Sequence, residues 1–439
     1  MKIAVVGSGI SGLGVAYALS EKYDVKLFEK NQSFGGHSNT FDIKIGNVEI
    51  PVDTGFIVYN IENYPNLSSL FSNLEVATKW SDMSFGFSSA NGRLEYSGSS
   101  LDSLFAQRKN LLNLKFINGL RDILRFNREA PIAMDNGNLI GLTLGEFLSK
   151  YKFRDWFKEN FILPMGGAIW SMPQSGILNF PAINFVSFFR NHGLLSGLSQ
   201  APQWRTVDGG SKVYVNKLIK KLGTNAIRSC PVTSIRKITN GVSLEFKSGQ
   251  SEKFDQVVIC SNAPQAMKLL TANMGEELSV LSKFRTSKNR VILHSDKELM
   301  PKRSKAWSSW NFISSGNSGD LDKGSSVTYW MNKLQKIDTK TPMFVSLNPL
   351  FEPNENKIYA EFDYEHPIFD KETFGAQKEI DRVQGKDGIW FAGAWLGYGF
   401  HEDGLTAGLR VANALGVVPD WARHIPPGLP NISLLKAAE

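Results

Sequence analysis

Residues 2–12 read Lys2-Ile3-Ala4-Val5-Val6-Gly7-Ser8-Gly9-Ile10-Ser11-Gly12, followed by an apolar run to Leu19 and then Val25-Lys26-Leu27-Phe28-Glu29. Ile3 to Val6 is a short β-branched run suited to a buried parallel strand. Gly7 allows a tight turn, Gly9 lets backbone approach a pyrophosphate, and Gly12 lets a new helix pack close on the sheet. The free N–H groups and the dipole at the helix start attract phosphate, with Ile10 and Ser11 in its first turn. Glu29 lies 22 residues after Gly7, where an acid meets a ribose hydroxyl. This order predicts a dinucleotide-binding unit. The plainer alternative is a structural glycine turn with Glu29 at a solvated strand end.

Lys30 follows the acid, and Gly35-Gly36-His37-Ser38-Asn39-Thr40 follows shortly after. Paired glycines before polar residues suggest backbone passing close to a ligand. Strands alternate through Phe41 to Ile50. Thr54 and Gly55, in Val52-Asp53-Thr54-Gly55-Phe56, extend the same candidate contact surface. Residues 61–75 read as a helix. The glycines of Met1 to Leu19, and the lack of a cleavage site, argue against a signal peptide.

The 439 residues have room for two or three lobes, and 42% hydrophobic against 21% charged residues is a globular balance. Cys230 and Cys260 stand alone, which excludes a disulfide framework, argues against zinc and suits a reducing compartment. His192, His294 and His366 have no partners at metal spacing and read as structural. The net charge of +7 favours an anionic partner. No nucleic-acid module is recognisable, and no apolar run is long enough to span a bilayer.

From Thr78 the character changes. Segments 84–87 and 93–96 read as a hairpin of a new lobe. Leu101 to Arg128 reads as helical, basic and apolar. Two readings of it are open: a buried helix pair with a solvated basic face, or a surface that meets anionic lipid. Phe and Trp are dense from Trp156 to Phe189, which suggests a large apolar pocket. Pro164 to Trp170 reads as a loop. An amphipathic helix is expected at Val213 to Leu222, and strands at Ile227 to Ile235, Val242 to Phe246 and Gln256 to Cys260. Asn262 sits in the turn after the last of these, at a strand's carboxyl end, where ligands bind in open α/β sheets. Strands at 290–294, 307–312, 326–331 and 344–347 form an antiparallel sheet. Gly316 to Gly324 reads as a loop. Near the C-terminus, Ile389 to Trp395 leads into Gly397-Tyr398-Gly399-Phe400-His401-Glu402-Asp403-Gly404-Leu405. It reads as strand, glycine-rich loop and helix, and delivers a helix N-terminus to an anionic or electron-accepting ring. The chain after Pro419 reads as a surface extension.

These motifs, with Asp208-Gly209-Gly210 between them, together resemble the FAD-dependent amine oxidase, protoporphyrinogen oxidase and phytoene desaturase superfamily, over nearly the whole chain. Gly36 to Thr40, Val52 to Phe56, Trp330 to Gln335 and Gly399 to Gly404 are similar to one bacterial branch. Its members often accompany cyclopropane- and methyl-fatty-acyl phospholipid synthases. The resemblance implies an α/β fold: a Rossmann-like FAD-binding domain of the glutathione reductase/amine oxidase type, with an interleaved α+β substrate domain carrying an antiparallel sheet. The expected division is 1–77, 201–265 and 381–418 for the FAD-binding domain, 78–200 and 266–380 for the substrate domain, and 419–439 for a tail.

The resemblance also implies roles. Gly7, Gly9 and Gly12 hold the pyrophosphate, Glu29 takes the ribose, and Gly36, His37 and Ser38, after Gly35, run past the phosphates and ribityl chain. Val232 meets adenine through its backbone, Gly393 and Ala394 touch the ribityl side, and Asp403, Gly404 and Leu405 bring N–H groups to the flavin pyrimidine. Amine-oxidising relatives usually have arginine where this chain has His37. The flavin would accept a hydride at N5. A saturated or allylic C–H needs a dry, shaped slot rather than a strong base. His401 is the candidate proton acceptor or substrate contact, against a structural histidine as its alternative; Tyr398 and Phe400 could wall the substrate. The leading expectation is desaturation of a methylated acyl chain of a phospholipid. An amine or polyamine oxidase and a non-catalytic FAD-binding lipid partner stay open. A cytoplasmic protein is expected, peripheral on the inner membrane face if the 101–128 segment meets lipid; a homodimer is compatible with the sequence.

Overall fold

Ile3, Ala4 and Val5 are wholly buried in the strand Lys2–Val6, at the centre of a five-stranded sheet. Across this sheet the order is Ala226–Ile227, Asp24–Phe28, Lys2–Val6, Gln256–Ile259 and Ile389–Phe391, every neighbouring pair parallel. Side chains alternate across a strand, and the two faces are covered separately, as parallel sheets require. Ile3 and Val5 pack with Leu13, Leu405 and Leu409 on one side. Ala4 and Val6 pack with Ile235, Ile259 and Ala376 on the other. The computed structural model describes residues 1–89, 92–195, 202–315 and 325–426; the expected loop 316–324 lies outside them.

A second sheet has seven strands in the order Ile358–Ile368, Arg285–His294, Phe344–Leu347, Ser325–Trp330, Trp310–Ser314, Phe85–Ser89 and Leu94–Ser97. It is antiparallel except where Trp310–Ser314 runs parallel to Phe85–Ser89, a strand from an earlier part of the chain. A helical layer, with Leu114–Asp135 and Ala182–Asn191 as its longest members, encloses an aromatic core of Phe126, Phe147, Phe157, Phe180 and Phe185.

Several expectations need correction. The expected loop 164–170 is the helix Leu163–Trp170. Its glycines are packing sites: a Cβ at Gly166 would lie 2.8 Å from Ile177. The helix expected at 61–75 is shorter, Pro65–Asn73, with proline in its first turn. The strand 227–235 is two strands: Ala226–Ile227 joins the parallel sheet and Val232–Ile238 starts another, the break containing Ser229 at φ 53°. Met274, Val280, Ala376 and Ile380, expected in the second lobe, share a core with Val257, Ile259 and Phe391 of the parallel sheet. The chain after Pro419 begins as part of the core. Trp421 is 6% exposed and stacks on Tyr17, and Asn66 accepts from the backbone N–H groups of Arg423 and His424. Among the described residues no helix is long and apolar enough to cross a membrane.

Candidate functional site

The opening turn is built by exclusion. Gly7 has φ +101° and its N–H donates to Phe28 O at 2.9 Å. A Cβ on Gly12 would lie 1.8 Å from Gly7 O, so only glycine fits there. Gly9 is different: nothing lies within 4 Å of where its Cβ would point. Gly36 (φ +59°) brings its Cβ direction to 3.2 Å from Gly9 Cα, and the N–H of Gly35 (φ +116°) donates to Ser8 O. The two glycine segments, over 20 residues apart in sequence, thus form one bare backbone surface, suited to a diphosphate.

Glu29 is buried under this surface. Its Oε2 accepts from Ser8 N at 3.0 Å and Ser8 Oγ at 2.6 Å, and its Oε1 accepts from Asn31 N. It therefore braces the turn. Val232 opens the strand beside it, with Cys230 N donating to Glu29 O. Lys30 reaches Gln265, whose backbone N–H donates to Asn262 Oδ1. Asn262 caps the following helix and donates to Glu365 Oε2 at 2.5 Å.

The C-terminal helix His401–Ala414 meets the opening helix Ile10–Leu19 almost without side chains between them. Gly14 faces Leu405 Cδ1, and Gly408 faces Ser11 O. Gly404 likewise faces Ile10 and Ser11. This close crossing explains four predicted site residues, Ile10, Ser11, Gly404 and Leu405, as packing that sets one helix end against another. It also corrects one role. Gly404 N–H already bonds Phe400 O inside the helix, so the free donors of that end are those of the first turn, His401 to Asp403. The Asp403 carboxylate accepts from Phe400 N at 2.9 Å, and the loop wraps it closely at Gly397. Gly393 leaves room for the Trp395 ring, whose Nε1 donates to Ser261 O. Ala394 O accepts from the N–H groups of Gly397 and Gly399, closing the loop.

His401 is held from two sides. Its ring stacks on Phe56 at 3.8 Å and its Nε2 lies 2.9 Å from Ser38 Oγ. Ser38 also shares a short hydrogen bond with Tyr214 Oη. Burial, with His37 nearby, pushes the His401 pKa well below the usual histidine range. It is therefore neutral near pH 7 and a weak base. Tyr398 bonds instead into the helical layer: its Oη lies 3.1 Å from Asn184 Nδ2 and its carbonyl accepts from Trp170 Nε1. Phe400 stacks on Phe188 in the same direction. An open cavity of about 540 Å³ borders Asn184, Leu142, Phe374 and Leu396, with Lys371 and Lys378 also in its lining.

Thr54 and Gly55 serve the frame. Thr54 joins Asn39 and Tyr364 through hydrogen bonds of 2.8–2.9 Å, and a Cβ on Gly55 would strike His37 O. His37 stacks on Tyr364 and tilts against His366 at 5.2 Å. Its buried Nε2 has no hydrogen-bond partner among the described residues. Sequence reasoning missed Asp53, Gln335, Tyr364 and the place of His366. Asp53 accepts from Thr40, from Ser211 N and Oγ, and from Gln335 Nε2, while Gln335 Oε1 accepts from Asp53 N. The alternation Phe362, Tyr364, His366 along one strand was the available signal.

The flavin containing amine oxidoreductase model matches residues 10–331. The chain belongs to this family. It is an FAD-dependent oxidoreductase. The same fold is found in a putrescine oxidase (TM-score 0.67, 14% identity, 94% of this chain and 98% of that one). A CLA-producing fatty acid isomerase from P. acnes (0.67, 13%, 94% and 98%) and cyclohexylamine oxidase from Brevibacterium oxydans (0.63, 16%, 94% and 98%) share it too. No curated protein matches the sequence. Three observations fit FAD to the residues present: the open space over Gly9, the approach of Gly36, and the unpartnered His37 Nε2.

Proposed function

We propose that this flavoenzyme dehydrogenates an acyl chain, and that its substrate is a methylated fatty acyl chain of a phospholipid. The observation that carries this reading is the neutral setting of His401, stacked on the Phe56 ring and bonded to the Ser38 hydroxyl. The carboxylates of Asp53, Glu365, Glu402 and Asp403 are each engaged. Glu402 accepts from Asn66 N and Leu67 N, and the other three are held as described above. His37 and His401 are pushed toward their neutral forms by burial. A neutral, aromatic wall suits a hydrocarbon better than an ammonium ion, whose charge is costly to bury unpaired. The fatty acid isomerase has the same fold, so the architecture is compatible with an acyl substrate.

Bound FAD would supply the two-electron acceptor. The protein's part is to hold it and to shape a dry slot. On this reading Gly9, Gly36 and the first turn at Ile10 hold the diphosphate, Glu29 meets the ribose beside Ser8, and the free amides of His401 to Asp403 face the electron-accepting ring. His401 lines the slot as a neutral wall fixed by Ser38 and Phe56. The amine-oxidase alternative rests on the Phe56–His401 stack, because aromatic faces also attract cations.

Anaerobic mixing of the FAD-loaded protein with methyl-branched or cyclopropane phospholipid tests the proposal. Expected are bleaching of the flavin absorbance and lipid that has lost two hydrogens by mass. Bleaching by putrescine or cyclohexylamine, with none by lipid, would overturn it.

A further inference from the structure

The segment 101–129 carries six cations (Arg108, Lys109, Lys115, Arg121, Arg125, Arg128) and three carboxylates. All three carboxylates are engaged. Asp102 pairs with Arg108 and Lys305, buried Asp122 with Arg154, and Glu129 with Arg125 and Arg128. Lys109, Lys115 and Arg121 have no carboxylate partner among the described residues.

The apolar side chains of this segment fall into two sets. Phe116, Phe126 and Ala130 are buried on one face of the helix Leu114–Asp135. The opposite face carries Leu114, Arg121, Leu124, Arg128 and Ile132, at helical spacing. Leu114 is 76% exposed and Leu124 70%, and just before the helix Leu112 is 89% exposed. The stripe from Leu114 to Ile132 is about 27 Å long at 1.5 Å per residue. Large aliphatic side chains this exposed, interleaved with Arg121 and Arg128 and with the unpaired Lys109 and Lys115 near their start, have the composition of a helix lying in a membrane interface.

We infer that this face seats the protein on an anionic bilayer, with Leu111, Leu112 and Leu114 entering the headgroup boundary and Lys109, Lys115 and Arg121 meeting lipid phosphates. A second copy fits the face poorly, because a two-fold contact would set these cations against their own counterparts. The inference does not depend on the acyl-chain reading: binding is measured without turnover.

Flotation of the FAD-loaded full chain with vesicles of phosphatidylcholine alone, or of equal parts phosphatidylcholine and phosphatidylglycerol, tests it. Flotation with the mixed vesicles is expected, weakening as salt shortens the Debye length from about 30 Å to about 8 Å. L112D/L114D should lower binding at least about tenfold for each leucine, and K109Q/K115Q/R121Q about fivefold for each charge. Both variants should keep wild-type flavin absorbance and thermal midpoint, since the changed side chains are exposed. Wild-type protein left unfloated by mixed vesicles at low salt would overturn the inference. So would unchanged flotation of L112D/L114D. A lipid-free dimer that L112D/L114D dissolves would assign the face to a second copy instead.

Discussion

At the residue scale, the glycines of the opening turn separate two demands that a motif merges. Gly12 is needed by the fold, because any Cβ there meets the Gly7 carbonyl. Gly9 is free of its own protein's atoms, so its bareness serves the ligand. Gly9→Ala is therefore expected to fold with the wild-type apoprotein midpoint and to lose FAD affinity at least about tenfold, since a methyl group would stand where the diphosphate approaches. Gly12→Ala should lower the apoprotein midpoint as well. Calorimetry of both apoproteins with FAD titration checks this; equal losses of stability would remove the distinction. Glu29 stands where the motif places an acid, and its two oxygens also accept from Ser8 and Asn31, which braces the turn.

At the element scale, the hairpin Thr40–Ile45 and Val48–Asp53 packs Ile43, Ile50 and Val52 into the core of the second lobe, and one amide adds a polar tie to that packing. Gln335 exchanges two hydrogen bonds with Asp53 across 282 residues, and Asp53 in turn holds Ser211 at the start of the helix Lys212–Leu222. Gln335→Leu leaves a buried N–H and a carboxylate oxygen without partners. A loss of about 2 kcal/mol is expected, with faster FAD release because Asp53, the shared acceptor of Ser211 and Thr40, loses its anchor to the second lobe. Urea unfolding followed by flavin fluorescence reads both effects, and an unchanged midpoint would mean that the lobes are held elsewhere. The motifs holding Asp53 and Gln335 are recognisable in the sequence as separate stretches. Their pairing is not, because nothing local to either stretch encodes a partner so distant.

At the scale of the whole molecule, buried ionisable groups set two opposed responses to pH. Burial lowers the pKa of five histidines: His37 and His401 in direction, His192 and His294 to about 4, and His366 to about 3. Each contributes stability above pH 6.5 that is lost as pH falls toward its folded pKa. Burial raises Glu402 to about 7 and Asp53 and Asp403 to about 6. These contribute stability at low pH that is lost as pH rises through 6–7. The histidines are more numerous, so the thermal midpoint should climb from pH 5 to pH 7. Glu402→Gln keeps one oxygen for Asn66 N or Leu67 N, loses the other acceptor at every pH, and removes one opposing titration. It should steepen the climb, the difference between the two proteins growing by on the order of 2 kcal/mol from pH 5 to pH 8. Parallel curves for the two proteins would show that Glu402 does not titrate in this range.

The strand–glycine–helix order, the parallel sheet and the use of FAD were legible in the sequence. Each depends on a property of one residue or one short run: a missing Cβ, a β-branched stretch, a free helix end. Only the tertiary structure decided that Pro164 to Trp170 is a helix rather than a loop, since Gly166 is there for packing against Ile177 and Phe185 and Gly167 for the approach of Met172 O. It alone decided that Trp421 belongs to the core, that His401 is neutral and held by Ser38, and which leucines of the 101–132 region face outward. Those outcomes depend on which surfaces meet when distant segments pack, and burial, hydrogen-bond partner and charge state are all consequences of that meeting.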